Sequence, residues 1–401
     1  MPLTSIATVL TCAALVVGLV FPVVLPEVGN VSYFVLAGLA LLAFSWSAPW
    51  RELRVRPVVY LPLVAGALLT ICFIITAEAP LDALAAVFFM PLFLIAPMVE
   101  LFRRGARFVT PTSICLIAAA GCVGAFGVAL YDSYVLGMVR AGFTVNNPIH
   151  FADIALTLGF VALVGLYTDR LLVRLAALCA PILGLIAVIL SGSRGPLVAS
   201  VPMALTALVV IVMHFRGRAA FLRTFAVAIA GVAILGIIAW QMGFLDASAF
   251  ADALAAIGGS AVDHSTALRL KMYEGAYLAF FASPVFGHGL IGYVETANQF
   301  VPEVSFGGHL HSDLADFAVV GGIIGLLAYG LFLLAPLLEA LRAPADAPTR
   351  RASVMLALVL VVGYIGMGLT NAMFGILTQT VLYAFCLALV AHLARNREAA
   401  D

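Results

Sequence analysis

The stretch 283–327 reads SPVFGHGLIGYVETANQFVPEVSFGGHLHSDLADFAVVGGIIGLL and joins a polar loop directly to a long apolar segment. His309 and His311 follow a Gly-Gly pair and are separated by one residue. Asp313 and Asp316 come next, before the apolar run begins. We therefore expect reactive side chains to lie at a membrane surface here, with the rest of the chain holding this segment in place.

The composition indicates a protein that spans a membrane several times. Of the 401 residues, 64% are hydrophobic and 10% are charged, and the mean hydropathy is +1.16. Soluble domains carry roughly 25% charged residues. The net charge is zero, which does not favour a nucleic-acid partner. All six cysteines fall in apolar runs at irregular spacing, which argues against disulfides and against a zinc site.

The apolar segments predict an all-α polytopic membrane protein with about twelve transmembrane helices in a single domain, 1–401. A spanning helix needs about 20 mainly apolar residues. The candidate spans are 5–25, 31–49, 57–76, 81–99, 111–131, 150–168, 175–191, 196–214, 224–242, 318–336, 353–370 and 377–394.

The basic residues predict the orientation of these spans. If each span crosses once, sixteen of the 20 Lys and Arg residues fall on one side. The positive-inside rule makes that side cytoplasmic, so both termini are expected to be cytoplasmic. The sixteen residues are Arg51, Arg54, Arg56, Arg103, Arg104, Arg107, Arg170, Arg174, Arg216, Arg218, Arg223, Arg342, Arg350, Arg351, Arg395 and Arg397.

The other four basic residues, Arg140, Arg194, Arg269 and Lys271, fall on the outer side, against this bias. Three separate outer loops each contribute an arginine. The last of these loops, 243–317, is about 75 residues long by the span boundaries. A connection of this length is usually functional. We expect it to lie on the outer side and to carry part of an active site, with surface helices of its own.

The outer arginines have two interpretations. Arg194 lies in SGSRGP, where small neighbours let another group approach its guanidinium. It is either an anchor at the lipid interface or a ligand for an anion, to which the planar guanidinium fork is suited. The same alternatives hold for Arg269, which could instead pair with Glu274 or Asp263. Arg140 is the third candidate.

The histidine pair has three interpretations: a metal site completed by Asp313, a solvated loop without a role, or a general base. Imidazole has an unperturbed pKa near 6.5 and accepts a proton at neutral pH without special tuning. Asp313 and Asp316 are either charges that favour the helix N-terminus or groups that orient an imidazole.

At this point the chain resembles the O-antigen ligase and polymerase family of bacterial envelope glycosyltransferases. The resemblance rests on four stretches, which are RAGFTVNNPIHFADIAL at 140–156, SGSRGPLVAS at 191–200, RLKMYEGAYLAFFASPVFGHGLIGY at 269–293 and HLHSDLADFAVVGGIIGLL at 309–327. The family usually has His-Asn where this chain has His311-Ser312.

The resemblance implies a periplasmic transfer of a glycan from undecaprenyl diphosphate to an acceptor hydroxyl, which in ligases belongs to the lipid A core oligosaccharide. It implies that Arg194 and Arg269 hold the diphosphate with help from Arg140, and that His311 is catalytic. His309, Asp313, Asp316 and Lys271 are supporting candidates.

The chemistry of such a transfer agrees with these residues. Preorganised arginines would stabilise the charge that grows on a departing diphosphate, and a histidine would take the acceptor proton in one inverting displacement. We expect no cofactor and no metal, since the sequence has no Asp-x-Asp cluster. The alternatives are a polysaccharide polymerase or protein O-oligosaccharyltransferase of the same fold, a secondary transporter, which would need midplane carboxylates, and a non-catalytic scaffold.

Overall fold

The computed structural model describes residues 3–215, 264–302, 305, 307–345, 347 and 349–395, and this part of the chain is helical and contains no β-strand. The longer helices are α1 (Leu3–Leu19), α2 (Pro26–Phe44), α3 (Pro57–Thr76), α4 (Ile95–Arg104), α5 (Pro111–Leu130), α6 (Pro148–Val161), α7 (Leu171–Leu190), α8 (Arg194–His214), α9 (His264–Ala282), α10 (Tyr293–Gln299), α11 (Asp313–Arg342), α12 (Arg350–Gly368) and α13 (Leu377–Leu393). Short helical segments are Phe21–Val24, Trp50–Leu53, Asp82–Phe89, Met90–Phe93, Tyr131–Val135 and Ala162–Tyr167.

The all-α polytopic prediction is confirmed. Nine helical segments within the described ranges are long and apolar enough to cross a membrane, and Ser5–Leu19 and Leu377–Leu393 are shorter apolar helices. Each of them coincides with one of the predicted spans. The predicted span 224–242, and residues 243–263 of the predicted loop, lie outside the described residues, so the number twelve stays a prediction.

Two predicted spans are interrupted. The apolar run 5–25 is divided between α1 and the separate segment Phe21–Val24, which has a proline at its start. Proline has no N–H to continue the hydrogen-bond ladder of the preceding helix. The run 81–99 begins as the 3₁₀ helix Asp82–Phe89 and reaches α4 only at Ile95.

One end of the bundle collects the basic residues that were assigned to the cytoplasmic side. Arg56, at the start of α3, forms an ion pair with Glu339 near the end of α11 and donates to the Ala391 carbonyl at 2.7 Å. Arg342, the last residue of α11, donates to the Val55 carbonyl at 2.9 Å. Contacts or charge interactions place three more basic residues at this end, Arg103, Arg351 and Arg395.

Helix α13 is the buried centre of the bundle. Every side chain from Thr378 to Leu393 is buried, although these residues include four polar ones. A helix that is apolar on all sides is expected in such a position. Two hydrogen bonds join polar groups of α13 to other helices. The side chain of Asn30 on α2 donates to the Thr378 hydroxyl at 3.0 Å, and the Tyr364 hydroxyl on α12 donates to the Gln379 carbonyl at 2.6 Å.

Helix α11 is broken at Gly322, and the loop 283–289 fills the break. Gly322 has φ 59° and ψ −144°, which is not helical. The N–H of His288 donates to the Val319 carbonyl at 2.8 Å, and the N–H of Ile323 donates to the Pro284 carbonyl at 2.8 Å. A Cβ on Gly287 would lie 2.5 Å from the helix backbone. The loop thus satisfies backbone groups that the break exposes and fixes the first turns of α11, which carry the histidine loop.

Candidate active site

The loop before α11 holds its two histidines through backbone hydrogen bonds. The N–H of Leu310 donates to Oδ1 of Asp316 at 2.9 Å, and the N–H of His311 donates to Nδ1 of His309 at 3.1 Å. His311 has φ 53° and is the one non-glycine residue with a positive φ in the described part of the chain. Such a conformation is strained and persists only where the surroundings hold it. The neighbours of this loop therefore impose the position of His311.

The two imidazole rings lie side by side. The ring centroids of His309 and His311 are 4.2 Å apart at 60°, and His150, in the first turn of α6, lies 6.4 Å from His309. Burial, and then the charges of His311, His150 and Arg269, lower the pKa of His309 to about 3. Burial, and then the charge of Arg269, lowers the pKa of His311. Both rings are thus neutral at pH 7, the form that accepts a proton.

The imidazole of His311 packs against His309 but has no hydrogen bond from another side chain in the described part of the protein to orient it. Neither ring nitrogen has a hydrogen-bond partner among the described residues, and Nδ1 is buried. Asp316 bonds to the loop backbone instead. Asp313 is buried, and its Oδ1 accepts from the N–H groups of Met373 at 2.8 Å and Phe374 at 3.0 Å. Both carboxylates therefore hold backbone segments rather than the ring.

The same contacts bear on the metal interpretation. The described ranges contain no group of three or more His, Cys, Asp or Glu side chains placed to hold a metal ion. Asp313, the third ligand of that interpretation, directs its carboxylate to the segment after α12. A metal site at the two histidines would need a different third ligand.

Arg140 reaches the turn between α7 and α8. Its Nε donates to the Ser191 carbonyl at 2.8 Å, and an Nη donates to Oγ of Ser193 at 3.1 Å. Gly192, with φ 62°, lies beneath this side chain, so that a Cβ there would be 3.7 Å from Cγ of Arg140. Arg194 follows as the first residue of α8 and is half-buried. The turn thereby brings two of the outer arginines together.

Arg269 lies on α9, close to this group. Its charge contributes, after burial, to the lowered pKa of Arg140 and of both loop histidines. No hydrogen bond or ion pair of Arg269 occurs within the described residues. A half-buried guanidinium among other basic groups, with no carboxylate of the described ranges paired to it, is suited to bind an anion.

Lys271 faces elsewhere on α9. It forms an ion pair with Glu274 at 2.7 Å, and both side chains are substantially exposed. The pairing of Glu274 with Arg269, one of the sequence alternatives, is therefore not found. Asp263, the other suggested partner, lies outside the described residues.

The segment 369–376, between α12 and α13, forms the floor of the site. The Tyr273 hydroxyl on α9 lies 3.2 Å from the Leu369 carbonyl and 3.1 Å from the His311 carbonyl. A Cβ on Gly195 would lie 2.2 Å from Oγ1 of Thr370, so the start of α8 packs closely here. Asn371 donates to Asp153 on α6 at 2.7 Å.

These contacts bring the four quoted sequence stretches to one end of the bundle, opposite the basic end. Our sequence reasoning did not single out Tyr273, His150 or the segment 369–376. Tyr273 lies four residues after Arg269, a helical spacing that could have indicated a shared face. The other two carried no signal that a single sequence makes visible.

Two cavities lie at neighbouring positions, and the first opens beside the histidine loop. One, of about 230 Å³, is lined mainly by apolar and aromatic side chains, with His309 and Asp316 among them. The other, of about 300 Å³, shares Leu290 and Ile291 with the first and is lined by three carboxylates, Glu78, Asp82 and Glu295. Phosphate groups are therefore favoured at the arginines and disfavoured in the second cavity.

Residues 179–330 match the family model described as O-antigen ligase, a range that includes Arg194, Arg269 and both loop histidines. An uncharacterized protein of Haemophilus influenzae is 24% identical over 263 residues, which cover 62% of this chain and 63% of that protein. The matched region thus spans less than two thirds of that relative.

The family match agrees with the sequence motifs and with their convergence at one site. Over residues 179–330, the chain is similar to the O-antigen ligase family.

Proposed function

We propose that this protein is a membrane glycosyltransferase that moves a glycan from undecaprenyl diphosphate to an acceptor hydroxyl at the periplasmic face of the inner membrane. We propose the lipid A core oligosaccharide as the acceptor, which makes the protein an O-antigen ligase. The observation that carries the proposal is the convergence of Arg140, Arg194, Arg269 and the two loop histidines at one end of an apolar helix bundle.

In this proposal the arginines bind the donor diphosphate. The charge of Arg269 acts on Arg140 and on His311, so these groups share one electrostatic environment. Bringing like charges together costs free energy, and a diphosphate would remove that cost on binding. Negative charge on the diphosphate increases as the glycosyl bond breaks, so the arginines stabilise the transition state more than the ground state.

His311 is the general base of the proposed reaction. The acceptor oxygen forms a bond to the anomeric carbon while the bond from that carbon to the diphosphate oxygen breaks. The acceptor proton passes to the neutral imidazole, and the electron pair leaves with the diphosphate. This single displacement inverts the configuration at the anomeric carbon and requires no cofactor. His311 suits the role because its ring nitrogens have no protein partner among the described residues.

The buried carboxylates bear on the transporter alternative. Asp153 is the sixth residue of α6, and Asp313 is the first residue of α11. Both are fully buried, and both bond to the segment 369–376. They thus lie toward the ends of their helices that face the candidate site, and they hold its floor. A proton-coupled transporter would normally place such groups at the membrane midplane.

The proposal is tested with the purified full-length protein in lipid vesicles. Labelled undecaprenyl-diphosphate glycan is added in parallel reactions to lipid A core, to a second lipid-linked glycan, or to an acceptor peptide. The acceptor that becomes labelled is then identified. Label in lipid A core that depends on His311 supports the ligase. Label in the second glycan or in the peptide identifies a polymerase or a protein O-oligosaccharyltransferase instead. No transfer to any acceptor contradicts the proposed function.

A further inference from the structure

The position of the His311 ring depends on backbone contacts, because no side chain among the described residues bonds to the imidazole. The residue has φ 53°, a conformation that favours glycine and that a histidine leaves readily unless it is held. Two contacts hold the N–H groups of this loop, namely Leu310 to Asp316 and His311 to His309. These two contacts leave the backbone carbonyl of His311 unheld, so a third contact is needed there.

Tyr273 makes that third contact. Its hydroxyl lies 3.1 Å from the His311 carbonyl and 3.2 Å from the Leu369 carbonyl. Burial raises the pKa of the Tyr273 phenol, so the hydroxyl keeps its hydrogen and donates it. A phenol has one hydrogen, which the two carbonyls share. The contact thus joins the histidine loop to the floor segment 369–376.

The place of Tyr273 on α9 also relates the loop to Arg269. The two residues are four apart, so they lie on the same face of one helix. Arg269 is one of the residues that would contact the donor diphosphate. One helix therefore presents the diphosphate ligand and, a turn later, the hydroxyl that holds the histidine.

We propose that Tyr273 is a positioning residue that holds His311 in its left-handed conformation and so aligns the imidazole with the acceptor hydroxyl at a fixed distance from the diphosphate bound by Arg269. This inference rests on the proposed function, in which His311 takes the acceptor proton. In this account Tyr273 acts through His311, because its hydroxyl bonds to backbone carbonyls.

The first test compares Tyr273→Phe with Tyr277→Phe in the full-length protein. Tyr277 lies one turn further along α9, is 63% exposed, and makes an edge-to-face contact with Phe281. Each variant removes only one hydroxyl. For Tyr273→Phe we expect kcat to fall about five- to tenfold, the effect of one lost hydrogen bond, with donor KM unchanged. For Tyr277→Phe we expect no change. Wild-type kcat in Tyr273→Phe, or an equal loss in both variants, overturns the inference.

The second test does not use activity. Deuterium exchange is followed by mass spectrometry in peptides that cover 307–316, with and without undecaprenyl diphosphate. If Tyr273 holds the loop, exchange in this region should be about five- to tenfold faster in Tyr273→Phe and unchanged in Tyr277→Phe. Equal exchange in wild type and Tyr273→Phe overturns the inference, even if transfer is slower.

A third test asks whether Tyr273 acts on transfer only through His311. In the His311→Ala background, adding Tyr273→Phe should leave the residual transfer unchanged, because the ring that Tyr273 positions is already gone. A further five- to tenfold loss shows an independent role and overturns the inference. If the wild-type protein transfers glycan to no acceptor, the proposed function fails, and the exchange measurement alone decides whether Tyr273 holds the loop.

Discussion

Nδ1 of His309 accepts a hydrogen bond from the backbone N–H of His311 at 3.1 Å. A neutral imidazole that accepts at Nδ1 carries its proton on Nε2, so this contact sets the tautomer of His309. The two histidines are therefore not equivalent. His309 supports the loop backbone, whereas the buried Nδ1 of His311 has no hydrogen-bond partner among the described residues.

Substitutions at the two histidines should separate these roles. His311→Ala should lower transfer on the order of a hundred- to ten-thousandfold, the range for loss of a general base, while binding of donor lipid stays intact. His309→Asn should retain most of the activity, because the asparagine carbonyl can accept the same N–H, whereas His309→Ala should lose about tenfold. Initial rates and donor binding measure both effects. Loss of activity in His309→Asn but not in His311→Ala would reverse the assignment.

The rate of transfer should depend on the planar guanidinium of Arg269 and not only on its charge. Arg269→Lys keeps the charge but loses the guanidinium fork, so transfer should fall on the order of a hundredfold, as when one donor to a developing anion is removed. Lys271→Arg is the matched control two residues away, and it should change transfer by less than about twofold, since its exposed pair with Glu274 contributes little. Wild-type rates in Arg269→Lys would show that Arg269 contributes only its charge and does not bind the diphosphate through the guanidinium fork.

Transfer should depend on pH through His311. Burial, and then the charge of Arg269, lowers the pKa of this imidazole below its ordinary value. The neutral ring is the base, so the rate should rise as pH increases through that lowered pKa and stay level above it. The midpoint in kcat/KM should lie below about 6.5, the unperturbed value. Arg269→Gln should move the midpoint to higher pH. A midpoint at or above 6.5 in the wild type would contradict the electrostatic account.

The orientation can be tested at two exposed positions at opposite ends of the bundle. Val139, beside Arg140, and Trp46, near the basic end, are each 97% exposed. In a cysteine-free background, Val139→Cys should react with an impermeant thiol reagent in spheroplasts, and Trp46→Cys should react only after the membrane is opened. The opposite pattern would place the candidate site in the cytoplasm and contradict the charge-based topology.

The break in α11 should require glycine. Gly322 has φ 59°, and a Cβ there would lie 2.6 Å from the Pro284 carbonyl. Gly322→Ala should lower the free energy of unfolding by about 2–3 kcal/mol, from backbone strain and this clash. Gly330, on the same helix, has open space around it, so Gly330→Ala should leave stability equal or slightly higher. Thermal unfolding in detergent compares them, and equal melting temperatures would mean that the break does not depend on Gly322.

Most of the bundle could be predicted from the sequence because spanning helices leave a local signal. Twenty apolar residues form a helix in lipid, where the backbone must satisfy its own hydrogen bonds. The distribution of basic residues also predicted that most of them share one end of the bundle. The contacts of Arg56 and Arg342 agree with this prediction. Breaks such as Gly322 could not be located in this way, since the partner that fills the break is a loop more than thirty residues earlier in the sequence.

The candidate site, like the bundle, could be predicted from the sequence only in part. The sequence by itself determined which residue types were out of place, namely three outer arginines and a histidine pair, because unpaired charge near lipid is costly and therefore conspicuous. Only the tertiary structure decided how they are used. It placed Arg140 over the α7–α8 turn, directed Asp313 and Asp316 to backbone groups rather than to the imidazole, paired Lys271 with Glu274, and set the Tyr273 hydroxyl against the carbonyl of His311. These are contacts between segments far apart in the chain, and the packing of helices decides them, while the local pattern of residues does not.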